Sequence, residues 1–313
     1  MGTARPTSGF PLGVHGGQSR LPCADREVDM TITRVQPFRR CGALLPASLA
    51  GLPLALLKAT ALEFVILAGH LLLYPSGITQ ERRAVPPPPS PDAPRLPATD
   101  KPPVLLLHGF IDNRSVFVLL RRNLAQHGRQ HLESLNYSPL TCDIRTAAEL
   151  LGRHIEEICE RTGHDRVDIV GHSLGGLIAR YYAQRLGGDA RVRTLVTLGT
   201  PHSGTRVAPL ADAHPIVRQM RPDSDVVAEL REPAPGCRTR FMSFWSELDQ
   251  IMDPVETACV DHPDLLARNI RVSGIGHLAL PVHPAVATAI RQALDLAESG
   301  MAPAASAGGL TVA

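Results

Sequence analysis

From Val104 onward, short apolar runs alternate with segments in which apolar residues recur every three or four positions. The runs "PVLLLHGF", "HLESLNYS", "RVDIVGHS", "VRTLVTLGT", "RTRFMSFWSELD" and "RNIRVSGIGH" have the length and residue types of strands, and turn-forming residues separate them. Helical periodicity predicts helices over 115–128, 143–162, 174–187 and 284–298. Strands this apolar, alternating with helices, imply an α/β fold: a mostly parallel sheet of about six strands with helices on both faces.

The front of the chain follows a different pattern. Residues 1–42 are rich in Gly, Pro and Arg without periodicity, and no fold is predicted for them; Met30 offers an alternative start. Residues 43–75 are apolar and follow Arg34, Arg39 and Arg40, in the manner of an export signal or a membrane anchor. Pro46, Pro53, Lys58 and Glu63 interrupt the run, and Glu63 and His70 fall seven apart on one helical face. Three readings follow: membrane association as a hairpin or anchor, a cleaved signal with a poor A-x-A site at Ala59–Ala61, or a helix packed on the rest of the chain with its polar stripe toward solvent. Residues 76–102 form a proline-rich linker, 103–299 one folded domain, and 300–313 a disordered tail.

Composition narrows the function classes. With 313 residues, 44% of them hydrophobic, the chain can bury a large core. A formal charge of +2 with no long basic tract argues against nucleic-acid binding. Six cysteines without C-x-x-C spacing give no zinc or redox motif; Cys237 and Cys259 are the best-placed pair for a disulfide, and buried thiols are the equal alternative.

The chemistry-bearing residues fall where strands end, as ligand sites do in open parallel sheets. In "VDIVGHSLGGLIARYYAQ", Ser173 sits on a strand-to-helix corner whose glycines leave room for neighbouring backbone. Such a corner exposes the hydroxyl and points helix N–H groups at any anion formed there. A serine nucleophile also needs a base held in one tautomer by a carboxylate. After it come Glu247, Asp249 and Asp253 as acids, and His262, His277 and His283 as bases. Asp249 stands just beyond a strand, whereas turn formation explains Asp253 before Pro254. His277 ends a strand and its glycine-containing loop; His262 precedes that strand and His283 opens the last helix. His172 is read as a packing or hydrogen-bonding residue, Tyr181 and Tyr182 as core, and His202, Ser203 and His214 as a solvated loop. The irregular stretch 201–237 is a lid or a loop.

"GHSLGG" after such a strand resembles the nucleophile elbow of the α/β-hydrolase superfamily, in particular its small bacterial, actinobacterial-type triacylglycerol lipases and esterases. The resemblance covers residues 102–298 in the order of elements and includes "LLLHGFIDN" and "LVTLGTPHSGT". It implies a triad of Ser173, Asp249 and His277 and an oxyanion hole from the backbone N–H groups of Phe110 and Leu174. The implied activity is that of a serine ester hydrolase, a lipase or carboxylesterase, working on an acyl-ester or lipid substrate without cofactor or metal, in a membrane-associated or secreted bacterial protein. The same triad serves thioesters or acyl transfer, and a non-catalytic lipid-binding protein on the fold is a further alternative.

Overall fold

The computed structural model describes residues 27–32, 54–78, 101–110, 112–137, 143–206, 214–298 and 310–312. The strands are β1 (Glu27–Ile32), β2 (Val104–Leu107), β3 (Leu132–Leu135), β4 (Val167–His172), β5 (Val192–Leu198), β6 (Arg240–Ser246), β7 (Leu266–Ser273) and β8 (Leu310–Val312). They form one sheet in the order β3-β2-β4-β5-β6-β7-β1-β8 with every neighbouring pair parallel. The six predicted strands are β2 to β7. β1 and β8 arise in segments for which no fold or a disordered tail was expected, and these two elements correct that expectation. A strand this short is held by backbone pairing more than by its own pattern, and the edge of β7 offers the row of N–H and C=O groups on which β1 adds.

The predicted helices are present as α2 (Val118–Gln126, preceded by a 3-10 turn at Arg114–Phe117), α3 (Ile144–Thr162), α4 (Leu174–Arg185) and α7 (Pro284–Glu298). The side chain of Asp143 accepts the N–H of Thr146 to start α3, and Gly163, with a left-handed φ of 73°, ends it. α3 and α4 cover one face of the sheet, burying Leu151, Ile155, Leu177 and Ile178 against Ile169 and Leu195. α2 and α7 cover the other, with Leu120, Leu124, Ile290 and Leu294 against Leu106, Val170 and Val196. A sheet covered on both faces explains strands that read as continuous apolar runs. The one acid inside β4, Asp168, is fully buried and meets Arg129 at 3.2 Å and Arg193, which neutralise it.

The stretch 201–237, expected to be a lid or a loop, carries α5 (Pro215–Gln219) and α6 (Asp225–Glu229), whose Ile216, Val217 and Val226 join the α3/α4 core. The buried guanidinium of Arg180 on α4 ties it down, donating to the carbonyls of His202 (3.1 Å) and Leu230 (3.0 Å). Residues 207–213 of this stretch, and 79–100 of the expected linker, lie outside the described residues. Cys237 keeps a separate thiol, so the disulfide considered for it and Cys259 is not formed.

Candidate active site

The turn from β4 into α4 sets the serine. Ser173 has φ 52° and ψ −120°, the one positive φ at a non-glycine among the described residues. L-residues rarely accept that conformation, so the surrounding structure must hold it. A Cβ at Gly175 would collide with the carbonyls of Leu107 and His108, and one at Gly171 would come within 2.5 Å of the backbone of Gly176. The corner therefore closes onto the end of β2 only with glycine at those positions. Ser173 is half-buried, while the β4 residues before it are buried. Leu174 opens α4, so its N–H belongs to the first helical turn, which lacks intrahelical acceptors. The loop after β2 runs against the serine, for a Cβ at Gly109 would stand 3.4 Å from that of Ser173. Phe110 is the next residue, its ring edge-on to His214 with 5.5 Å between centroids.

Asp249 and His277 lie together at the same end of the sheet. Asp249 stands in the turn after β6, where its Oδ1 accepts the N–H groups of Ile251 (2.9 Å) and Met252 (3.2 Å). Its Oδ2 faces His277 Nδ1 at 2.7 Å, and the two residues are only 2% and 5% exposed. With both acceptor oxygens engaged, the carboxylate has one geometry to offer the imidazole. Ser246 Oγ donates to the carbonyl of Ile275, which ties this turn to the loop carrying His277. Gly199 at the end of β5 has φ 52°, and a Cβ there would press on both Asp249 and His277 at 2.9 Å. Burial disfavours a charged His277, but the carboxylate of Asp249, assisted by Glu63 and Asp112, outweighs it and raises the His277 pKa above its ordinary 6.5.

The rival candidates are engaged elsewhere. Asp253 is exposed and its N–H donates to Thr205 Oγ1. Glu247 pairs with Arg271 at 3.3 Å. His262 donates to the carbonyl of Glu232 and accepts the N–H of Asp264. His283 accepts the N–H of Ala285 at the start of α7. His172 is buried and hydrogen-bonding, as read from the sequence: its Nε2 lies 3.3 Å from the carbonyl of His277. His202 is not solvated as expected; it is 2% exposed, with Nε2 2.9 Å from Thr197 Oγ1.

Two acids stand in places that the sequence did not indicate. Asp112, in the loop after β2, sits 3.3 Å from His172 Nδ1; burial alone raises its pKa, yet His172 beside it brings the net value below the usual carboxylate range. Its signal was its place in "HGFIDN", three residues beyond Gly109. The other is Glu63, on α1 (Leu54–Ile78), whose carboxylate accepts the N–H groups of Leu278 (2.8 Å) and Ala279 (3.0 Å). α1 lies across the mouth of the site. Gln250 donates to Thr60 Oγ1, His70 faces Asp112 at 3.7 Å, and Asn113 and Asn136 donate to the carbonyls of Tyr74 and Gly77. The polar stripe thus turns inward, opposite to the solvent-facing stripe expected of a packed helix. A cleft of about 160 Å³ remains between Phe64 and Leu67 of α1, Leu248 and Ile251 of the turn after β6, and His277. Among the described residues, no group of three or more His, Cys, Asp or Glu is arranged to hold a metal ion.

The alpha/beta hydrolase fold family matches residues 102–223, which include β2, the elbow and β5. Over 118 residues, 36% of this chain, the sequence is 28% identical to a triacylglycerol lipase of Pseudarthrobacter phenanthrenivorans and to one of Burkholderia plantarii. The matched part spans about a third of those relatives, 36% and 32% of their lengths. Among solved structures, mature lipase BlEst2 of Bacillus licheniformis superposes with a TM-score of 0.54 at 17% identity, covering 65% of this chain and 96% of that one. Aspergillus fumigatus lipase B gives 0.55 at 16% identity, covering 64% and 55%. With the sheet order, the strained serine corner and these matches pointing the same way, the chain adopts the α/β-hydrolase fold.

Proposed function

We propose that this protein is a serine ester hydrolase, a lipase or carboxylesterase that works through Ser173, Asp249 and His277 by way of an acyl-enzyme. The observation that carries the reading is the buried 2.7 Å Asp249–His277 pair at the end of the sheet where Ser173 is held at positive φ. Ser173 attacks the ester carbonyl while His277 takes its proton; Asp249 holds the imidazole in the Nδ1–H tautomer and stabilises the imidazolium. The N–H groups of Leu174 and Phe110 receive the oxyanion. His277 then returns the proton to the leaving alcohol, and a water activated by the same histidine releases the acid.

The substrate is an acyl ester of a lipid, met at a membrane surface. Support comes from the triacylglycerol lipase relatives and from the outer face of α1, where Val65, Leu71 and Leu72 are 70%, 66% and 83% exposed. Contiguous apolar surface of this kind marks a partner of low polarity. α1 docks on the hydrolase from Thr60 to Gly77, about 25 Å of helix at 1.5 Å per residue. A helix held along that length lies half-immersed in the interface with the enzyme above it, and does not cross the bilayer as an isolated span.

The test is labelling by a fluorophosphonate together with hydrolysis of esters of graded acyl length. Wild-type protein is expected to label and Ser173→Ala to lose both label and turnover. Asp249→Asn should lower kcat about 10⁴-fold while Asp253→Asn leaves it near wild type. Turnover surviving Ser173→Ala in folded protein refutes the assignment, and paired oxygen and sulfur esters separate esterase from thioesterase.

A further inference from the structure

We propose that Glu63 is a positioning residue of the active site: a carboxylate delivered by the N-terminal helix that grips the backbone on both sides of His277 and makes α1 part of the catalytic apparatus. The inference rests on His277 acting as the base.

Within the 25 residues of α1, Lys58 and Glu63 are the formal charges, and a half-buried carboxylate in so apolar a helix needs strong partners. Glu63 finds them in two adjacent N–H groups, those of Leu278 and Ala279, immediately after His277. Hydrogen bonds to an ionised acceptor are about twice as strong as neutral ones. On the other side of the histidine, a Cβ at Gly276 would come within 2.7 Å of the Glu63 carboxyl carbon and 2.9 Å of Oε1. Glycine at 276 is therefore what lets the carboxylate lie against the chain there. The residues before and after His277 are both in the grip of one side chain, which comes from more than two hundred positions away in sequence.

His277 Nδ1 is fixed by Asp249, and its carbonyl meets His172 Nε2 at 3.3 Å. Glu63 adds to these a direct hold on Leu278 and Ala279, beside the bond of Leu280 N–H to the His277 carbonyl at 3.4 Å. Thr60, Tyr74 and Gly77 lie with Glu63 within about 100° of the helix circumference, so their bonds to Gln250, Asn113 and Asn136 hold the carboxylate in register. Glu63 acts through charge as well as geometry. The charged or titratable groups facing His277 are Asp249 from the turn after β6, Asp112 from the loop after β2, Glu63 from α1, and His172 from β4, its ring centroid 4.7 Å away. The negative charge of Glu63 favours the imidazolium, hence a higher pH for the onset of activity.

The experiment compares full-length wild type, Glu63→Gln and Glu63→Ala in kcat and kcat/KM on a short water-soluble ester from pH 5 to 9, with thermal unfolding and fluorophosphonate labelling alongside. Glu63→Gln keeps an acceptor oxygen and loses the charge, so its acid limb should move to lower pH with only a modest fall in the plateau. Glu63→Ala should show the same displacement and lower plateau kcat by roughly ten- to a hundredfold, with KM little changed, as expected when a base loses its alignment. Glu63→Gln should unfold near the wild-type temperature and Glu63→Ala below it, because two backbone N–H groups lose their acceptor, so kcat is compared at temperatures where both variants are folded. An unmoved acid limb in Glu63→Gln, or a plateau in Glu63→Ala equal to wild type, overturns the proposal. Wild-type protein that neither labels nor turns over would instead defeat the hydrolase reading itself.

Discussion

α1 and α3 are both long helices, and they place their acidic residues differently: α3 turns them to solvent, whereas α1 turns Glu63 inward. α3 buries Ala147, Leu151, Ile155 and Ile158 and leaves Glu149, Arg153, Glu157 and Glu160 exposed. α1 turns Glu63 and His70 toward the enzyme and exposes Phe64, Val65, Leu71 and Leu72. An apolar stripe on the core is the arrangement water selects. The inverted arrangement suits a helix with polar partners on the protein side and hydrocarbon on the other. On the proposed function, the outer face of α1 meets a surface less polar than water while Glu63 on its inner face holds the backbone next to His277.

The comparison breaks first on stability. Leu151→Asp places an unpaired carboxylate in the α3 core and should destabilise the fold by about 4 kcal/mol or more, while Leu72→Asp on α1 should shift it by no more than about 0.5 kcal/mol. Denaturant unfolding of both variants reads the contrast directly; equal losses would mean that the outer face of α1 is packed in solution. Binding to phospholipid vesicles should show the reverse order. Val65→Asp with Leu72→Asp should weaken sedimentation with vesicles tenfold or more, since burying each such side chain contributes about 1.5–3 kcal/mol, whereas Glu149→Gln on α3 should leave it unchanged. Vesicle binding that survives the double variant removes the interfacial role of α1.

A smaller effect concerns pH. On the proposed function His277 must be neutral to accept the proton of Ser173, and its pKa is raised, so the acid limb of wild-type kcat/KM should lie above pH 6.5 and activity should fall as pH drops through it. Glu149→Gln, distant from that histidine, should leave the limb in place. Asn113→Ala probes the docking of α1: it deletes the bond to the Tyr74 carbonyl and the cap accepted from Ser115 N, and should lower stability by about 1–2 kcal/mol without touching the triad candidates. A melting-temperature series with Asn136→Ala, which frees the Gly77 carbonyl, would apportion the docking of α1.

The strands β2 to β7, the helices α2, α3, α4 and α7, and the serine corner were legible in the sequence because each is written in local signals: apolar period, caps and glycine spacing. β1 and β8 were not, since they come from the two ends of the chain and owe their place to the open edge of β7, on which β1 and then β8 pair. The acid–base choice needed tertiary structure. Three carboxylates lie within seven residues after β6, and only the turn geometry, with Ile251 and Met252 donating to Asp249, sets that one against His277.

By itself the sequence determined that an α/β-hydrolase scaffold would form and that Ser173 would stand on its elbow, because strand period and glycine spacing act within a few residues. It also marked Glu63 and His70 as one stripe on an apolar helix, since helical period is local too. Which way that stripe would turn was decided only in the tertiary structure. The direction depends on donors presented by loops far along the chain, the backbone N–H groups of Leu278 and Ala279 and the side-chain amides of Asn113 and Asn136, and no periodicity in residues 54–78 encodes their positions. Backbone groups left over at loop ends are the strongest available partners for a carboxylate in an apolar helix, so they drew the stripe inward and left the hydrocarbon face outside.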